Sequence, residues 1–74
     1  MKMTDTELSE IVAKIAADYG YKDAVAGFQP FKDFKIRWTR TQDWIRMDVS
    51  DYLESADEEI IASIVDTLFR KIKG

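Results

Sequence analysis

The chain contains neither histidine nor cysteine, so any chemistry it performs must come from carboxylates, lysines or tyrosines. Imidazole acid–base catalysis, serine or cysteine triads and zinc sites built on His or Cys all fall away. Carboxylates are the first remaining candidates. Asp48, Asp51, Glu54, Asp57, Glu58 and Glu59 crowd into one short stretch, and such oxygens could hold a hard cation. The Asp-x-Asp-x-Asp-Gly loop with a distal glutamate that an EF-hand requires is missing, however. A solvated turn running into a helix N-terminus accounts for the same charges. Asp66, set between Ile64-Val65 and Leu68-Phe69, reads as a residue on the exposed edge of a helix. The expectation is therefore a protein without catalytic activity, metal, cofactor or small-molecule substrate.

Positive charge is the second candidate. Residues 32–46 hold Lys32, Lys35, Arg37, Arg40 and Arg46 against Asp33 and Asp43, and both tryptophans, Trp38 and Trp44, fall in the same stretch. Lys35, Arg37, Arg40, Trp44 and Arg46 form the candidate binding surface. Cations around an exposed ring can hold a phosphate backbone and stack a base, and the same pairing of aromatic and arginine serves protein interfaces. An ordinary solvated face, with its charges paired internally, explains these residues as well. The net charge of −3 supplies no overall attraction to nucleic acid or to an anionic membrane.

A β-hairpin must position these side chains. Phe34, Ile36 and Trp38 alternate with Lys35, Arg37 and Thr39, and Ile45, Met47 and Val49 alternate with Trp44, Arg46 and Asp48. That period of two is the mark of half-buried strands, here over residues 34–39 and 44–49. With Arg40-Thr41-Gln42-Asp43 as the loop, Trp38 faces Ile45, Ile36 faces Met47 and Phe34 faces Val49. Arg37 then lies opposite Arg46, an unfavourable like-charge pair unless an anion sits between them. Trp38 belongs to the core in this arrangement. Trp44 marks a contact surface if nothing covers it.

Helices flank the hairpin. Thr4 and Glu7 form a capping box, Leu8, Ile11, Val12, Ile15, Ala16 and Tyr19 make one apolar face, and Gly20 supplies a left-handed stop, which predicts a helix over residues 4–19. Ser55 and Glu58 read as a second box opening a helix over residues 56–73. Its stripe of Ile60, Ile61, Ile64, Val65, Leu68, Phe69 and Ile72 is wider than a two-stranded hairpin can cover, so part of it must meet the first helix or a partner. A chain that is one piece of a longer protein would explain the same excess. Residues 21–33 read as a loop with a third strand near 24–28, which Gly27 weakens and Pro30 confines to an edge. Phe28 and Phe31 seal one end of the core.

The stretch RWTRTQDWIRMDVSDYLESADEEIIASIVDTLFRKI resembles a group of small archaeal proteins of unassigned function. The resemblance rests on Arg37-Trp38, Arg40, Trp44-Ile45, Val49 to Leu53, Ala56 and Ile60, and covers about the C-terminal half. The order of hairpin, acidic turn and amphipathic helix also looks like the front of zincin-type metallopeptidase domains, whose helix carries His-Glu-x-x-His. Here that helix reads Ile64-Val65-Asp66-Thr67-Leu68, so the likeness implies a scaffold and no catalysis.

Seventy-four residues allow one small domain and a single site or interface. The expected fold is α+β, αββα or αβββα, with two helices on one face of an antiparallel sheet. No apolar leader or span of bilayer length is present, and the lack of cysteine suits a reducing compartment, so a soluble cytoplasmic protein is expected. The function expected is a non-catalytic binding module with a protein partner, self-association being one form of it. A nucleic-acid-binding domain using the outer face of the hairpin is the alternative.

Overall fold

The computed structural model describes residues 2–73, in the order α1 (Asp5–Asp18), β1 (Asp23–Gln29), β2 (Ile36–Arg40), β3 (Trp44–Ser50), a 3-10 turn (Asp51–Leu53) and α2 (Glu58–Lys73). It is a single α+β domain, helix, strands, helix. The third strand is real, and it changes the character of the sheet. The strand order is β1-β3-β2; β2 runs antiparallel to β3 while β1 runs parallel to it. The sheet is thus mixed rather than wholly antiparallel.

The start of α1 is built as its residues dictate. Thr4 Oγ1 accepts from the Glu7 N–H at 3.2 Å and Glu7 Oε1 accepts from the Thr4 N–H at 3.0 Å, a closed capping box. At the other end Gly20 has φ +91°. The Tyr21 N–H donates to Ala16 O and the Gly20 N–H to Ala17 O, both at 3.1 Å, which is the Schellman arrangement that a left-handed residue permits. It swings Tyr21 inward, where its ring lies 5.7 Å from that of Phe69.

β1 starts beside Trp44 and ends beside Ser50, and β2 starts beside Val49. Residues 30–35 must therefore cross the end of β3, a span of about 10 Å, or two strand spacings. Pro30 begins the crossing in a tight turn, with the Phe31 N–H donating to Gln29 O at 2.8 Å. Beneath it Ser50 is fully buried, its N–H bonded to Lys35 O at 2.9 Å and its Oγ accepting from the Tyr52 N–H.

The hairpin register differs by two residues from the expected one. Ile36 faces Val49, Arg37 faces Asp48, Trp38 faces Met47, Thr39 faces Arg46 and Arg40 faces Ile45. A shift of two leaves every side chain on its original face, so the hydrophobic pattern could not exclude it. Turn chemistry decides instead: the Thr41 N–H donates to Trp44 O at 2.8 Å, and Thr41 Oγ1 accepts from the N–H groups of Asp43 and Trp44. The connection is Thr41-Gln42-Asp43, and Phe34 drops out of the strand, 74% exposed.

Both helices cover the same face of the sheet. Leu8, Val12 and Ala16 of α1 and Ile61, Val65 and Phe69 of α2 close over Ala26, Phe28, Ile45, Met47 and Val49. Burying each large member contributes about 1.5–3 kcal/mol. Met3 joins this core, its N–H donating to Glu54 O at 2.7 Å. α2 begins two residues later than expected, because Asp57 O accepts the first helical N–H bonds from Ile60 and Ile61.

Candidate functional site

The face of the sheet opposite the helices is where the candidate residues gather. Alternation places Asp23, Val25, Gly27 and Gln29 of β1, Trp44, Arg46 and Asp48 of β3, and Arg37 and Thr39 of β2 on it. Read across the strands, the rows are Asp23–Trp44, then Val25–Arg46–Thr39, then Gly27–Asp48–Arg37, with Lys35 beside Ser50 at the top. Four of the five candidates, Lys35, Arg37, Trp44 and Arg46, share this side. Arg40 does not: it has the parity of Ile36 and Trp38 and belongs to the helix side of β2.

The like-charge conflict disappears with the true register. Arg37 lies across from Asp48, and Asp48 also pairs with Arg46 at 3.8 Å. Such a partly exposed pair is worth about 0–1 kcal/mol, but it makes the face charge-mixed rather than uniformly basic. Higher up, Lys35 Nζ and the Arg37 guanidinium each lie 5.7 Å from the centre of the Phe31 ring. Phe31 is thus less a seal on the core than a platform for two cations, each a modest attraction of about 0.5–1 kcal/mol at an exposed position.

Lower down the face is bare. Trp44 is 41% exposed and Val25 53%, and with Asp23 they line a shallow cleft of about 290 Å³. Val25 escaped sequence reading because it belongs to the strand that Gly27 and Pro30 obscured. Trp38 is corrected in the other direction. It faces the helix side, yet it too is 41% exposed, because β2 is an outer strand at the margin of the sheet.

Among the described residues no group of three or more His, Cys, Asp or Glu side chains could hold a metal ion. An open groove of about 490 Å³ between α1 and α2 is lined by Glu7, Glu10, Lys14, Glu58 and Glu59 around Ile11, Ile15 and Ala62. Asp66 is not a free exposed carboxylate. It accepts from the Tyr19 hydroxyl at 2.9 Å and pairs with Arg70 at 3.3 Å, while the Tyr19 and Phe69 rings stack at 5.5 Å. The hydrogen bond with Tyr19, and then the charge of Asp66, raise the Arg70 guanidinium above its ordinary value. Arginine is charged at any working pH, so this clamp between the helices is no pH switch.

No protein family, curated protein or solved structure matches this chain. Among the described residues no helix is long and apolar enough to cross a membrane.

Proposed function

We propose that this chain is a non-catalytic protein-interaction module of the cytoplasm, working through the bare face of its sheet. The observation that carries this reading is the exposed pair of Trp44 and Val25 on a face that neither helix covers. A half-exposed tryptophan beside an aliphatic side chain, rimmed by Arg46, Thr39 and Asp23, has the make-up of an interface hot spot with a polar rim. Charge favours a protein over nucleic acid: Asp48 and Asp23 stand among the cations of this face, where a phosphate-tracking groove would be uniformly positive. The absence of cysteine accords with a reducing compartment.

The test has two arms. Single-stranded and duplex nucleic acid are titrated into the protein at low and moderate salt while tryptophan emission is followed. Separately, wild-type protein and Trp44→Ala are cross-linked in extracts of the source cell, and the captured proteins are identified. A discrete protein captured by wild type and lost in a folded Trp44→Ala variant supports the reading. Quenching by nucleic acid that vanishes with salt and requires Trp44 and Arg37 overturns it in favour of nucleic acid.

A further inference from the structure

The two edges of the sheet are finished differently. On β1 the outward N–H groups of Ala24, Ala26 and Phe28 are taken up by side chains: Asp23 Oδ1 at 2.9 Å, Ser9 Oγ at 2.9 Å and Asp5 Oδ1 at 3.0 Å. The Ser9 hydroxyl also donates to Ala26 O at 2.6 Å. Asp5 and Ser9 of α1, with Asp23 of the strand itself, thus occupy the positions that a further strand would need.

β2 is left open. The bonds from Ser50 N–H to Lys35 O and from Thr41 N–H to Trp44 O set the alternation of the ladder, in which Lys35, Arg37, Thr39 and Thr41 bond inward to β3. Ile36, Trp38 and Arg40 consequently present N–H and C=O groups outward, and among the described residues nothing bonds to them there. Beside this edge the core is one strand short. Trp38 is half-exposed, and Phe34, Lys35, Ile36, Leu53 and Ile64 line a cleft of about 270 Å³ next to it.

We infer that the β2 edge receives an extended acidic segment of a partner protein, which adds as a fourth strand. This deepens the reading of the chain as a protein-interaction module and rests on it. The open backbone calls for a strand. Its apolar side chains, one in two, would cover Trp38 and the cleft by Ile64, and the alternate ones would face Lys35, Arg37 and Thr39. Charge selects the occupant: residues 34–42 contain Lys35, Arg37 and Arg40 and no carboxylate. A second copy of β2 laid antiparallel about Trp38 would set Arg37 diagonally against its own counterpart, an unfavourable pairing. Edge cations of this kind discourage self-pairing while admitting a strand of opposite charge.

The test uses a labelled peptide alternating glutamate with valine, the same peptide with lysine for glutamate, and the glutamate peptide N-methylated at alternate backbone nitrogens. Binding is followed by amide NMR of the whole chain and by Trp38 fluorescence in a Trp44→Phe background. The glutamate peptide is expected to shift and slow the exchange of the Ile36, Trp38 and Arg40 amides. Lysine or N-methyl replacement, or Arg37→Glu in the protein, should weaken binding at least about tenfold. No perturbation of those three amides at about 1 mM glutamate peptide overturns the proposal, as does equal binding of the N-methylated peptide, or a dimer formed through β2. Capture of a protein through Trp44 with no peptide effect at β2 would sink this inference alone; salt-sensitive nucleic-acid binding at the bare face would sink the reading above and this inference with it.

Discussion

Ser9 shows how much a single side chain carries in a domain this small. Its hydroxyl holds both backbone groups of Ala26 in a part-buried position, so Ser9→Ala leaves a donor and an acceptor together without partners. A loss of about 1–3 kcal/mol is expected, and each kcal/mol lowers the midpoint of thermal unfolding by roughly 4–8 °C at this chain length. Circular dichroism melts would show it; an unchanged midpoint would mean that water replaces the hydroxyl at no cost. The two glycines of this region should respond in opposite senses. A Cβ on Gly27 would lie 3.6 Å from Asp5 Oδ2, an ordinary contact, and Gly27→Ala is expected to gain about 0.4–1 kcal/mol by restricting the unfolded chain. At Gly20, with φ +91°, alanine should cost about 1–2 kcal/mol.

At the scale of elements, the hairpin is the place where pattern and chemistry must be separated. Alternation in residues 34–49 was legible and correctly named the inward residues of β3, but a period of two is blind to a slip of two. The turn settled the register through the Thr41 hydroxyl, a local bond that hydropathy does not express. Contacts between the Hα atoms of Trp38 and Met47 in NOE spectra are expected for the register described here; contacts of Trp38 with Ile45 would indicate the slipped one. β1 was harder to read because its outward N–H groups are satisfied by Asp23, Ser9 and Asp5 rather than by another strand, and no short-range signal announces that. The same blindness affected the candidate surface. Lys35, Arg37, Trp44 and Arg46 lie on one face of the sheet, since parity alone places them there. Arg40, Trp38 and Val25 depend on where the strand ends, which strand is marginal and whether β1 exists.

The molecule as a whole presents one occupied edge, one open cationic edge and one bare face. Two copies brought together through β2 would repel, so sedimentation is expected to report the 8.6 kDa monomer over roughly a hundredfold range of dilution. Any weak self-association should grow as salt is added, because screening removes the repulsion; association that salt abolishes would point to an ion-paired dimer instead. The crossing of residues 30–35 over the end of β3 also dictates an order of assembly. β2 meets β3 across separations of 5 residues, at Arg40 and Ile45, to 13, at Ile36 and Val49, whereas every β1 residue pairs with one 21 positions later, as Asp23 with Trp44. Closing the shorter loops first costs less chain entropy, so the hairpin should form before β1 docks with α1. Within β3 the amides of Trp44, Arg46, Asp48 and Ser50 point to β2, and those of Ile45, Met47 and Val49 to β1. Pulse-labelled hydrogen exchange during refolding should then find protection arriving at alternate residues of one strand, even numbers early and odd numbers late, so that β3 is a clock with two hands.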